Sequence, residues 1–300
     1  MSTRNSGPYR QKLDAVFTDW KADHYARMKS IDGQTAPTDF IELLSEDLLD
    51  AYSGTTLIDK YDIYQHLMDY WDETMKDDLY MIVEDGWKAT LEPVRTSTGK
   101  IKKGQFECEL IPKPLVIDRY FPDEQQEIEE LQQKRESAEQ TKDELEQEHA
   151  HEDGLLGHCL SSAGNVTKTN LKKRLKEIKD DPEQAEEYEV VRQYKDAYDA
   201  ASKAKKKVKK AKKALRKQVN EKYPELSPDE VQTLVVDDKW LPAIKQKIDD
   251  EVEAVSRQLT RRLKELAERY DRAVEDIDSE VEALEEKVNG HLETMGVAWK

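Results

Sequence analysis

Apolar residues recur at three- and four-residue steps through most of this chain, a spacing that predicts helices joined by short breaks. Leu13, Val16, Phe17, Trp20, His24, Met28 and Ile31 mark a first amphipathic helix after an irregular leader over residues 1–8. Gly33 and Pro37 end it, and Thr38 stands where it can cap a second helix with the apolar face Phe40, Leu43, Leu44, Leu48 and Ala51. Ser53 and Gly54 then turn the chain into a third helix, where Tyr64, Leu67, Met68, Trp71 and Met75 share one face. The surrounding stretch 57–87 holds six of the chain's 22 aromatics: Tyr61, Tyr64, Tyr70, Trp71, Tyr80 and Trp87. A Trp or Tyr side chain buries roughly 150–250 Å², so Tyr61, Tyr64, Trp71 and Trp87 are the expected core anchors. His24 and His66 border apolar faces and are expected to be hydrogen-bonded core histidines rather than ligands.

After Gly86 the periodicity breaks. Pro93, Gly99, Gly104, Pro112 and Pro114 exclude a long helix over 88–121. Phe106, Cys108 and Leu110, then Leu115, Val116 and Ile117, predict one or two short strands, as in a small hairpin. The string STGK at 97–100 lacks the leading glycine of a phosphate-binding loop and reads as a turn. Pro122, Asp123 and Glu124 start a helix reaching about residue 150, with Ile128, Leu131, Ala138 and Leu145 as its apolar seam. SSAGNV at 161–166 reads as a linker, dividing a helical core region 1–160 from an extended helical region 161–300. Within the latter, Asp181–Pro182 and Pro224 are breaks, and Ser227-Pro228-Asp229-Glu230 is a capping box with proline at the first helical position.

The C-terminal part has the clearest repeat. Val252, Val255, Leu259, Leu263, Leu266 and Tyr270 step by three and four, followed by Val274, Ile277, Val281, Leu284, Val288 and Leu292. Each run amounts to two or three heptads. Such stripes need either a hairpin within the chain or a partner helix, and the spacing leaves both open. The expected fold is mainly α: an amphipathic helical core, a small β or irregular insertion, and long C-terminal coiled-coil-like arms.

Composition sharpens this picture. The chain is 38% charged and 37% hydrophobic, with a mean hydropathy of −0.92, which fits long exposed helices better than a compact globule. There is no apolar run of 18 residues and no signal-peptide pattern, so no membrane contact is expected and the cytoplasm is the expected compartment. Cys108 and Cys159 form no framework and read as reduced thiols. The net charge of −17 opposes nonspecific adhesion to nucleic acid by the surface as a whole. The charge is nevertheless uneven. Residues 123–153 hold 13 acids and three bases, whereas 203–217 hold ten bases and no acid around a thin seam of Ala204, Val208, Ala211 and Leu215. The basic run is read in two ways. It pairs with the acidic helix, or it contacts DNA phosphates through Lys205, Lys206, Lys209, Lys210 and Lys213. Without interleaved aromatics it carries no base-reading signal. His149, His151, His158 and Cys159 are zinc-ligand types, but their spacing matches no zinc motif, and a polar turn ending the helix at Gly154 is preferred.

The run LIDKYDIYQHLMDYWDETMKDDLYMIVEDGW, residues 57–87, closely resembles a segment of the methyltransferase (modification) subunit of type I restriction–modification systems. LTRRLKELAERYDRAVEDIDSEVEALEEKVNGHLETMGVAW, residues 259–299, is similar to the end of that subunit. CELIPKPLVIDRYF at 108–121, with the acidic helix after it, fits the part between. The resemblance covers most of 13–160 and 256–299, and 165–250 corresponds to the region where such subunits vary. It implies a parent enzyme that transfers a methyl group from S-adenosylmethionine to adenine N6. That enzyme works with a specificity subunit that reads DNA and a restriction subunit that cuts it. It further implies docking on the specificity subunit's helical spacers through Leu259, Leu263, Leu266, Tyr270, Val274, Ile277, Val281, Leu284 and Val288. The stretch 57–87 would brace the catalytic domain or close around DNA.

Adenine methylation needs a glycine-rich cofactor loop and an Asn/Asp-Pro-Pro-aromatic motif for the flipped base. The chain has no Pro-Pro dipeptide and no such loop. The catalytic S-adenosylmethionine domain is therefore expected outside these residues, with no catalytic, cofactor or metal site within them. The expected role is a C-terminal docking and scaffold region of the longer subunit. The rival readings are a free-standing coiled-coil adaptor and a DNA-binding helical module built on 203–217.

Overall fold

A computed structural model describes residues 7–151 and 153–296, leaving aside the side chains of Lys103 and of residues 271–275. Among the described residues the chain is mainly helical, with one two-stranded sheet. It forms two compact units: Met1–Gly86 with Val236–Lys300, and Trp87–Val235. The division expected near residue 160 falls inside the second unit.

The first unit contains α1 (Pro8–Lys29), α2 (Pro37–Ala51), α3 (Lys60–Tyr70), α4 (Lys76–Asp85) and α10 (Leu241–Thr294). Phe17, Trp20 and Met28 of α1 are buried, as are Phe40, Leu44 and Leu48 of α2, and the Trp20 indole donates to the Leu44 carbonyl at 3.2 Å. Helix α2 begins at Pro37 without a side-chain cap, so Thr38 does not cap it. Proline at the first position lacks one of the amides a cap would serve. His24 is buried, with Nε2 3.1 Å from Asp47 and Nδ1 unpartnered, while His66 Nε2 lies 3.1 Å from Glu251. His24 is thus the buried, hydrogen-bonded histidine expected, whereas His66 is hydrogen-bonded but only half-buried.

Between α3 and α4 the helix widens into a π turn, Trp71–Met75. Leu67, Trp71, Met75 and Leu79 are all buried and lie four residues apart. On a regular helix each such step rotates the face by about 40°, and the wider turn takes up that drift. Trp71 and Trp87 are buried as expected and Tyr64 is half-buried, but Tyr61 is 62% exposed, with the Lys60 ammonium 5.3 Å above its ring. The buried face centres on Ile63, Leu67 and Tyr70, and Tyr61 points away from it. A second π segment, Thr233–Trp240, runs into α10, which has Pro242 in its first turn. Proline cannot donate to the preceding turn and crowds it, so a widened turn in front accommodates the ring.

The base of α10 completes this core with Trp240, Leu241, Ile244 and Ile248. At its centre Asp78, 3% exposed, accepts from Lys239 Nζ at 2.7 Å and from the Trp240 indole at 2.8 Å. Burial raises the Asp78 carboxyl above its usual range, opposed by Lys239 and Trp240. Around it Tyr25 donates to Asp237 at 2.9 Å, Lys29 pairs with Asp237 at 3.0 Å, and Lys245 pairs with Asp14 at 2.8 Å.

The second unit opens with a hairpin of β1 (Glu92–Arg95) and β2 (Ile101–Glu107), with Glu92 opposite Glu107 and a bulge between Pro93 and Arg95. STGK is its turn, with Gly99 at φ +78°. Residues 113–120 correct the expectation of a second strand, for they form helix α5 (Lys113–Tyr120). Pro114 in the first turn pre-sets helical φ, and Leu115, Val116 and Ile117 do not alternate as a half-buried strand requires.

The acidic helix α6 (Pro122–His149) then packs antiparallel on α8 (Ala185–Lys222). Gln218 meets Glu124 at 3.5 Å near one end, and Leu145 packs against Val191 and Tyr194 near the other. Helix α7 (Lys168–Glu177) closes that second end, where Arg174 grips Glu187 through Nε at 2.6 Å and Nη2 at 2.7 Å. The linker expected at 161–166 is a tight turn bracketed by Leu160 and Val166. Helix α9 (Pro228–Gln232) starts on the expected capping box, with both Ser227 and Glu230 bonds formed. Glu230 also accepts from Lys222 and Tyr120, and with the Ser227 amide these hold its carboxyl at about 2.

Two stability outcomes follow. Removing one partner of a buried ion pair strands the other, so Asp78→Ala should cost about 3–5 kcal/mol in urea unfolding, and Asp78→Ala with Lys239→Met should cost less. Burial, the largest influence, holds His24 below its usual 6.5. The unfolded chain therefore takes up that proton first, and stability is full above pH about 6.5 and declines as the pH falls through it. Urea titrations of His24→Gln should show a shallower decline between about pH 7 and pH 5.

Candidate functional site

The sequence placed candidate chemistry on two surfaces, and each is a helix face. The first is α10, a single unbroken helix of 54 residues, about 80 Å long. The intramolecular hairpin left open by the spacing is not formed. Beyond Ile248 the helix leaves the core, and Val252 and Val255 are half-buried. From there Leu259, Leu263, Leu266, Tyr270, Ile277, Val281, Leu284 and Val288 form one exposed stripe, with exposures between 45% and 66%. Val274 belongs to the same run by spacing, but its side chain lies outside the described residues, as do residues 297–299 of the C-terminal string.

Continuity of the helix changes how the repeat is read. Leu259, Tyr270, Val281 and Leu292 are 11 residues apart, and so are Val255, Leu266, Ile277 and Val288. Two separate heptad runs are thus one 11-residue repeat of 3.67 residues per turn, close to the natural helical period. Such a stripe stays nearly straight along the helix, so a straight partner helix can cover its whole length. The flanks differ along the arm. Residues 257–270 carry five bases and two acids, whereas 276–294 carry seven acids and one base.

The second surface is the outer face of α8. Ala204, Val208 and Leu215 are buried and Ala211 is half-buried, forming the expected seam against α6. Lys205, Lys206, Lys209, Lys210 and Lys213 all point outward and are exposed. Among the described residues, no hydrogen bond or ion pair engages any basic side chain from Lys203 to Arg216. The two readings of the basic run are therefore not exclusive: the seam pairs α8 with the acidic helix while its lysines stay free. Beside the seam lies an open groove of about 1220 Å³, floored by Leu131, Ala138, Ala197, Ala200 and Ala204 and edged by Lys134, Arg192, Lys203, Lys206 and Lys207.

Cys108 and Cys159 are buried free thiols, and burial pushes Cys159 up to about 11. Among the described residues no group of three or more His, Cys, Asp or Glu is placed to hold a metal. No described helix is long and apolar enough to cross a membrane. The Asp78–Lys239–Trp240 cluster was not anticipated. Its signal was Asp78 itself, an acid on the step Trp71, Met75, Asp78, Ile82 that otherwise runs through apolar residues.

No protein-family model, curated protein or solved structure matches this chain. The family resemblance rests on the three sequence strings alone.

Proposed function

We propose that this chain is a docking and scaffold region of a type I modification subunit, working in the cytoplasm. In this reading α10 engages the helical spacers of the specificity subunit. The observation that carries it is the exposed apolar stripe of α10. Eight large apolar side chains along one face of a helix are costly to leave in water and mark an interaction surface. The resemblance of 259–299 to the end of the modification subunit supports the specificity subunit as partner, and that of 57–87 supports a catalytic domain as neighbour. The S-adenosylmethionine chemistry and the cutting of DNA belong to that domain and to the restriction subunit. The first unit supports a scaffold role because the base of α10 is locked into its core by Asp78. A free-standing coiled-coil adaptor would share the stripe but has no use for the aromatic block at 57–87.

A second reading adds DNA contact through α8. It is favoured by the unpaired basic face at Lys205, Lys206, Lys209, Lys210 and Lys213, whose counterions would be released on binding phosphates.

Both readings give measurable outcomes. Copurification with the specificity subunit should be lost in Leu266→Asp and in Leu284→Asp while circular dichroism stays helical, and retained binding by both variants would remove the docking role. For the second reading, DNA affinity of the chain should fall steeply with salt. Replacing Lys205, Lys206, Lys209 and Lys210 by Glu should abolish it, and binding indifferent to salt would refute it.

A further inference from the structure

The two halves of the α10 stripe carry opposite charge, and this bears on what covers the stripe when the chain is alone. We propose that α10 pairs with α10 of a second copy of this chain, antiparallel, over residues 259–292. Three features of the arm support this occupant. First, the stripe is close to symmetric about its own middle. Running a second copy backwards sets Leu259 against Leu292, Leu263 against Val288 and Tyr270 against Val281. Second, the same alignment sets residues 257–270 of each copy, with five bases and two acids, against residues 281–294 of the other, with four acids and one base, while 271–280 meets itself. A parallel pair would stack base on base and acid on acid, and like-charged flanks select against that arrangement. Third, the area is sufficient. Eight side chains about half exposed supply roughly 800 Å² per copy, the size of a standard stable interface.

The 11-residue repeat makes this pairing nearly straight, so the full length, about 50 Å, stays in contact. The pair covers the same stripe that docking on another protein would use. It is therefore the resting state of the arm, and it does not depend on the identity of the docking partner.

The test uses the full chain alone. Light scattering at micromolar concentration should give the mass of two chains, falling to one in Leu266→Asp with helicity unchanged. Orientation is read from the variants Leu263→Cys and Val288→Cys, for which the buried Cys108 and Cys159 give little background. Under mild oxidation a mixture of the two variants should form disulfide-linked dimers about tenfold faster than either variant alone, because only the antiparallel pair brings the two positions within disulfide range. Equal rates in the separate variants and the mixture would overturn the antiparallel pairing, and a single-chain mass for the unmutated protein would overturn pairing altogether. A chain that stays monomeric yet still binds the specificity subunit rejects this proposal and leaves the docking function standing. Loss of that binding with the self-pair intact does the reverse.

Discussion

A buried carboxylate sets the register of the first unit. Asp78 sits in an apolar core and has two donors, Lys239 and Trp240, both from the segment that leads into α10. An ion pair this deep gives little net stability, because desolvation offsets most of the attraction, but it is highly selective for its partners. The register between α4 and the start of α10 is therefore fixed by chemistry that no sliding of apolar side chains could satisfy. Tyr70 adds to it by donating to the Lys239 carbonyl at 3.4 Å. One π segment ends three residues before Asp78, and the other carries Lys239 and Trp240 themselves. The direction in which the arm leaves the core is thus set at its base.

The two helix faces of α10 and α8 follow opposite logic. On α10 the apolar positions are exposed and the charges separate along the helix. On α8 the apolar seam is consumed by α6 and the charges face outward. Small residues at Ala197, Ala201 and Ala204 bring α6 and α8 close enough to bury the seam with modest side chains. What remains exposed on α8 is a basic face that borders the open groove beside the seam.

Much of this was legible in the sequence because it is local. The capping box at Ser227, the breaks at Pro182 and Pro224, the hairpin turn at Gly99 and the α6 and α8 seams all depend on residues a few positions apart. The exposed apolar stripe of α10 was legible residue by residue, since three-and-four spacing does not need the rest of the fold. Other features were hidden because they depend on distant groups. Whether Tyr61 or Ile63 faces inward is decided by the neighbours of α3, not by aromatic content. The hairpin at the C-terminus stayed open because no residue between Tyr270 and Ile277 forbids a turn or compels a helix. Residues 113–120 had strand-like composition, and two prolines outweighed it. Asp78 alone left a readable trace, as a charge in an apolar series.

The second unit is inserted between Gly86 and Val236, so the first unit is written in two pieces along the chain. Asp78 and Lys239 are 161 residues apart. At ribosomal rates of about 5–20 residues per second, the carboxylate is made roughly ten to thirty seconds before the lysine that will meet it. During that interval helices α1 to α4 lack the part of their core that the base of α10 supplies, while the inserted unit, continuous in sequence, is already synthesised in full. The chain order therefore completes the inserted middle before the first unit, whose core lacks its last segment until the chain returns to it.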